Sequence, residues 1–570
     1  MIYQNFNLKI YVNKMFRHQS SGALVPTRSV VVKPEAQVDV SPSGVEQLSI
    51  FVPPHIPFFD PKDTVLTGDF VMQGRGQPVP DGAAGLHSLW RDVTVRDREA
   101  SAVIEQIHDY NVKCAQEWAF DSNKTLDSKR AVFEGQQVNP ARDRNIYYGA
   151  PLSGAVAWSA GNVTAADEAK KLQFRMPIKS GIMDGDKVFP CVATKGLRLQ
   201  MDLDSVARSC KFAQGELGTE EQYCVIDAAS AKTAGDDSKA GVSSTFSVTI
   251  CPPAQATATG EGVYANAAPY DNNPFAIGDR IYIDTAAGGA EESLGVITQM
   301  NIGAGATTAN SIELTYIPDR AITTGLTGNF PDQSRVYFKK EDRLSGVTVA
   351  NVPAAQIAAA AVGTSFTLSN LELLVQEVSP PESYMSALMK QVSGKGLALD
   401  FKTYSLFRYN QPAISGLASQ LIPTTAKRAL SILSVPLVQS EQADIAVSSL
   451  LGSPAQMSQY QYVYDGKYVP DRPVDVARYA LNPPYSEPLH MLEVEKAIVN
   501  CGVAVRNLQR MPEHFLLARA FSRYGQIADL SEHDLSLNLR FSTASSVRAM
   551  DHFVCELRRM TVGKDGVMME

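Results

Sequence analysis

Apolar and polar residues alternate along much of this chain in short runs of period two, and the runs follow an order that is used twice. From residue 99 a helical pattern leads to an apolar run at 172–176, a strictly alternating one at 196–203 and a further apolar run at 371–375. From residue 487 a helical pattern again leads to an apolar run at 515–518, an alternating one at 535–541 and an apolar one at 553–557. Period-two alternation marks strands with one buried face, and such a face completes its core only within its own sandwich. A repeated order therefore predicts two similar β domains in one chain.

The remaining segments fill in that outline. Runs at 29–32, 48–52, 64–71 and 90–95 are rich in β-branched and aromatic residues and predict strands, whereas the four prolines within 52–61 predict an edge or a loop. Val103, Ile107, Tyr110, Cys114 and Trp118, at spacings of three and four, predict one helical stripe. The polar stretch 111–162 reads as a long functional or interface-forming excursion. Between Leu203 and Leu371 the first repeat carries a long insertion, whereas the second passes almost directly from Phe541 to Phe553. Within 215–350, rich in Gly, Ala, Ser and Thr, strand patterns at 246–250, 279–284, 295–298, 312–316 and 335–338 predict a small β-barrel or sandwich, with a flexible linker as the alternative. Tyr384, Leu388 and Val392 predict a short helix joining the two units. The second unit opens with strands at 397–409 and 428–436, continues through a Tyr-rich loop at 460–485, and reaches a helix at 487–500 with Ser486 as N-cap and Pro488 in the first turn. The division is thus 1–214 plus 351–380 for the first sandwich, 215–350 for the insertion, 381–396 for the linking helix and 397–570 for the second sandwich.

Composition narrows the function classes. With 44% hydrophobic and 20% charged residues the chain is globular, and its net charge of −8 lacks the basic footprint that phosphate binding requires, so nucleic acid is not expected as a partner. Seven scattered cysteines without a CxxC pair indicate neither a disulfide framework nor a zinc site. No cationic leader with an apolar block and no run of about 18 apolar residues occurs, so neither secretion nor membrane insertion is expected. Asn123-Lys-Thr and Asn162-Val-Thr are then chance matches to the glycosylation pattern.

Catalytic and cofactor motifs are absent. There is no GxSxG, HExxH or P-loop pattern, and no catalytic, metal or cofactor-binding residue is assigned. The cluster Glu532-His533-Asp534 reads as a solvated turn. Tyr460, Tyr462, Tyr464, Tyr468, Tyr479 and Tyr485 could line a glycan-stacking surface or anchor an interface; a long loop on a rigid β scaffold favours the interface.

Several segments resemble the double jelly-roll major capsid proteins of eukaryotic double-stranded DNA viruses, in the branch of virophages and polinton-like viruses. They are FVPPHIPFFD at 51–60, GLHSLWRDVTV at 85–95 running into IEQIHDYN at 104–111, MPIKSGI at 176–182 with Phe189-Pro190 and GLRL at 196–199, LLVQEVSPP at 373–381 and KRALSILSVP at 427–436. The resemblance implies a mainly β chain with two consecutive eight-stranded jelly-rolls, a few loop helices, and 215–350 as a tower on the outer face. It further implies a homotrimer with a pseudo-hexagonal outline, neighbouring capsomers, penton and minor or cement proteins as partners, assembly inside the host cell, and a place in the virion capsid. Arg142, Tyr147, Tyr148, Tyr460, Tyr462 and Tyr464, in the loops 121–162 and 455–485, are the expected subunit contacts. The competing reading is a multidomain β-sandwich that binds glycans through 215–350; a β-sandwich hydrolase with paired carboxylates is a third.

Overall fold

Sixteen strands form two copies of one arrangement. In the first unit they are β1 (Thr27–Val32), β2 (Gln47–Val52), β3 (Phe58–Gln73), β4 (Trp90–Asp97), β5 (Val103–Ile107), β6 (Leu172–Pro177), β7 (Leu197–Leu203) and β8 (Ser365–Val378). In the second they are β9 (Leu397–Gln411), β10 (Gly416–Ile422), β11 (Ala429–Val438), β12 (Met457–Tyr464), β13 (Lys467–Asp475), β14 (Leu517–Ala520), β15 (Leu535–Phe541) and β16 (Arg548–Gly563). The first unit pairs as β1-β8-β3-β6 and β2-β7-β4-β5, the second as β9-β16-β11-β14 and β10-β15-β12-β13, with every ladder antiparallel. Two four-stranded sheets in this order are a jelly-roll, so the fold is a double jelly-roll. The computed structural model describes residues 27–73, 78–98, 102–134, 172–185, 187–212, 365–442, 448–480, 487–508, 514–521, 527–564 and 566–569, together with strand segments between 224 and 338.

The alternation in the sequence places the core. In β7, Leu197, Leu199, Met201 and Leu203 point inward while Arg198, Gln200 and Asp202 face out; in β15, Leu535, Leu537, Leu539 and Phe541 point inward while Ser536, Asn538 and Arg540 face out. Between β7 and β8, described strands Cys224–Ile226, Phe246–Cys251, Ile312–Ile317, Glu292–Ile302, Arg280–Asp284 and Arg335–Phe338 pair in that order into a closed barrel, which removes their free edges. The first of these strands, only three residues long, carries no pattern that the sequence reading could detect.

The four longer helices of the described residues are α1 (Tyr110–Phe120), α2 (Lys124–Glu134), α3 (Glu382–Gly394), which joins the two units, and α4 (Pro488–Cys501), whose N-cap is Glu487. Three local expectations are corrected. The stripe from Val103 to Trp118 is not one helix, because β-branched Val103, Ile104 and Ile107 form β5 and the chain turns at Asp109 (φ 45°) before α1 starts. Of the prolines of 52–61, Pro53, Pro54 and Pro57 lie in the loop between β2 and β3, as expected, whereas Pro61 lies within β3, at a register shift against β8 where Thr64 Oγ1 donates to the Asp60 carbonyl (2.7 Å). Residues 460–485 are not one loop but begin as the hairpin β12–β13, closed at Asp465-Gly466 with both φ positive.

Candidate assembly surfaces and the seam between the sandwiches

The two jelly-rolls are joined by more than a linker. Helix α1 lies between them with all eleven residues buried. Tyr110 and Cys114 pack into the core of the first unit, whereas Val112, Ala115, Ala119 and Phe120 pack into the core of the second. In return Leu397 and Phe401 of β9 and Met560 and Val562 of β16 complete the core of the first.

Polar groups cross the same boundary in pairs, as burial demands. Gln116 Nε2 donates to the Leu450 carbonyl (3.1 Å), Ser448 Oγ to Asp81 Oδ2 (2.7 Å), and the backbone N–H groups of Arg506 and Asn507 to the Phe120 carbonyl (2.8 and 3.1 Å). Tyr404 Oη donates to Glu117 Oε1 (2.6 Å), and Lys113 pairs with Glu117 (2.8 Å) above the Tyr404 ring. Burial opposes the charge on Lys113, but neighbouring Glu117 outweighs it and holds the ammonium above its ordinary range.

At the rim Asp109 organises a charged junction. Its left-handed backbone, tolerable for Asp, aims the carboxylate at Arg208 Nη1 (2.6 Å) and Arg408 Nη2 (2.7 Å). Arg408 also grips buried Asp551 through two bonds of 2.7 and 2.8 Å. Burial lifts the Asp551 carboxyl above its usual range despite the opposing pull of Arg408. A cavity of about 880 Å³ opens here between the units, lined by Arg91, Asp92, His108, Asp204 and Arg408 among others. Elsewhere between the two units the backbones nearly touch: a Cβ on Gly181 would fall 1.8 Å from the Lys402 carbonyl oxygen.

Three histidines are locked in the interior as neutral rings. His490 donates from Nε2 to the Leu516 carbonyl (2.7 Å) and accepts from Tyr479 Oη at Nδ1 (3.0 Å); burial pushes it down to about 4. His552 meets Ser434 Oγ (2.7 Å), and burial pushes it down to about 3; burial also lowers His87. Ser434, His552 and Tyr462 form a hydroxyl–imidazole chain, but all three are fully enclosed, so no substrate reaches it. Because the unfolded chain takes up protons near pH 6.5 and folded His490 and His552 do so only far below it, each of these two contributes stability that is complete above pH 6.5 and lost below it, at about 1.4 kcal/mol per pH unit. Urea titrations of His490→Gln between pH 6.5 and 5 are therefore expected to show a shallower loss of stability with acid than the parent, by about that amount per unit. An unchanged slope would contradict the neutral buried ring.

The expected contact residues fall in different places. Tyr460 and Tyr462 lie in the second core, 1% and 0% exposed, with Tyr462 Oη on Ser434, so neither has surface to offer a neighbour; their inward direction follows from the alternation of β12. Tyr464 is half-buried and donates to the Asp529 carbonyl (2.8 Å). Arg142, Tyr147 and Tyr148 lie outside the described residues. Exposed apolar side chains that sequence reasoning missed include Leu489, Leu492 and Val499 of α4, Leu417 and Leu421 of β10 and Val31 of β1, whereas Tyr468 of β13, named above among the possible anchors, is exposed. The α4 residues recur at helical spacing and were legible as a second apolar stripe on that helix.

Among the described residues no group of three or more metal-ligating side chains lies together, no helix is long and apolar enough to cross a membrane, and cysteines 114, 191, 210, 501 and 555 are buried thiols. No protein-family model matches the chain. No curated protein matches it either. Among solved structures it is similar to the Faustovirus major capsid protein (9% identity, TM-score 0.48, covering 96% of this chain and 92% of that one). It is also similar to PBCV-1 VP54 as fitted into a reconstruction of the virophage Sputnik (8%, 0.42, 96% and 97%) and to the mavirus major capsid protein (8%, 0.37, 97% and 92%).

Proposed function

We propose that this chain is the major capsid protein of a double-stranded DNA virus and works by self-assembly: three copies form a pseudo-hexagonal capsomer, and capsomers tile an icosahedral shell. The observation that carries this reading is the identical strand order of two sandwiches that share their cores across a buried seam. Such a body is a rigid two-lobed tile, and three tiles joined head to tail have six similar lobes around one axis. The resemblance of the segments between 51 and 436 supports the same reading, as does the lack of a recognisable catalytic motif. On this reading the barrel between β7 and β8 is an outer tower, the segment 121–162 with Arg142, Tyr147 and Tyr148 touches neighbouring subunits, and the further partners are penton and minor capsid proteins. The protein resides in the virion shell.

Light scattering of the purified chain is expected to give three times 61.8 kDa, and negative-stain images a hexagonal outline. Dispersed monomers that bind glycans through the barrel would favour the competing reading and overturn this one.

A further inference from the structure

The outer face of the second sandwich carries an exposed apolar row. Leu421 of β10 pairs with Ser536 of β15, Ser536 with Val463 of β12, and Val463 with Tyr468 of β13, so these four side chains stand abreast on the face turned away from the core. Leu421 is 59% and Tyr468 56% exposed. At this end of the sheet the tip of the β12–β13 hairpin packs on the residues before β15: the Asp465 N–H donates to the Asp534 carbonyl (3.1 Å), and His533 pairs with Asp465 (3.5 Å). Asp465, Asp529, Glu532 and Asp534 are exposed here, against the exposed cations Lys427 and Lys467 and the His533 ring. The row therefore ends on an acidic border.

Residues 1–26, which precede the described chain, have the complementary composition. They include Lys9, Lys14 and Arg17 and no Asp or Glu, although the whole chain carries −8. Phe6, Leu8, Ile10 and Val12 alternate with Asn7, Lys9, Tyr11 and Asn13, which sets an apolar series against a polar, cationic one. Connectivity brings segment and face within reach of each other. Thr27 pairs with Val378, the last residue of β8, and from there α3 leads toward Leu397 over a rise of about 20 Å. Leu397 opens β9 at the end of the second sandwich where β11 also opens, at Ala429, and Ala429 exchanges two backbone bonds with Ala528, the neighbour of Asp529 (2.8 and 3.1 Å). The stretch from Lys9 to Thr27 spans up to about 60 Å when extended.

We propose that residues 1–26 cross from the first sandwich to the second sandwich of the same chain, with Phe6, Leu8, Ile10 and Val12 on the row from Leu421 to Tyr468 and Lys9, Lys14 and Arg17 beside Asp465, Glu532 and Asp534. The same chain supplies the occupant because its tether holds the segment at an effective concentration on the order of millimolar, ahead of a free partner. The segment then straps the two sandwiches together from outside their buried seam. This contact is a property of one chain and stands or falls apart from the capsomer reading.

Carbodiimide coupling of the full chain, which joins an amine only to a carboxylate in contact with it, tests this by mass spectrometry. In the single-chain band of a denaturing gel, Lys9 or Lys14 is expected to be joined to Asp465, Glu532 or Asp534. The same pairs found only at doubled mass would place the segment on another copy, and lysines joined to none of these acids would leave the face to a different partner; either result overturns the strap. Tryptic cleavage after Arg17 gives a second readout. Glu532→Lys/Asp534→Lys changes only exposed side chains and is expected to melt like the parent, while cleavage becomes at least about ten-fold faster as attraction turns to repulsion. Adding Lys9→Glu/Lys14→Glu to that variant is expected to restore most of the protection. Unchanged cleavage in the first variant, or no restoration in the second, would overturn the proposal as well.

Discussion

Replacing Gly181 by alanine is expected to remove nearly all folded protein. The new methyl group would stand 1.8 Å from the Lys402 carbonyl oxygen and 2.9 Å from its carbonyl carbon, and neither belongs to a side chain that can turn away. The sandwiches would have to separate locally, pulling Gly181 and Ile182 from their bonds to buried Glu105 (2.8 and 3.1 Å) and exposing the core residues that cross the seam. A loss of about 4 kcal/mol or more is expected, at the top of the range for single substitutions. Gly394→Ala is the control: nothing lies within 4 Å of its added methyl, and stability should stay level or rise by up to about 1 kcal/mol. Expression yield and thermal melting of both variants check the prediction, and a Gly181→Ala protein that melts like the parent would refute the close approach.

The second large effect is expected at Arg408. Its removal as Arg408→Leu strands the fully buried Asp551 and takes one of two cationic partners from Asp109. Breaking a buried pair from one side costs about 3–5 kcal/mol, while replacing both partners by apolar groups is often close to neutral. Chemical unfolding should therefore show a severe loss for Arg408→Leu and substantial recovery in Arg408→Leu/Asp551→Leu. Acid should narrow the gap between Arg408→Leu and the parent, because protonation of Asp551 relieves the stranded charge. A gap that widens on acidification would mean that Asp551 is not the group left exposed to the penalty.

Much of this fold was legible along the chain, for a physical reason. Strands with one wet face must alternate, so β7 and β15 could be placed to within a residue or so, and the repeat of their order exposed the duplication. What alternation could not settle was the identity of elements with no wet face. Helix α1 touches protein all round, and the spacing that links Cys114 and Trp118 continues by coincidence back into β5. The hairpin at Asp465-Gly466 carried a recognisable turn signal, but the surrounding tyrosines drew the reading toward a contact loop. Asp109, Gly181 and Arg408 were invisible as a group, since they come from distant parts of the sequence and only the packing of one sandwich on the other brings them together. Helix α4 divides in the same way: its exposed stripe can be read from its period, whereas its equivalence to α1 requires both helices to be seen in place.

The crossing of core residues bears on synthesis. Met560 and Val562 of β16, synthesised after every strand of the first sandwich, fill that sandwich's interior. That sandwich cannot finish packing until β16 has been made, so a chain cut short before β16 would offer an open interior to chaperones and proteases.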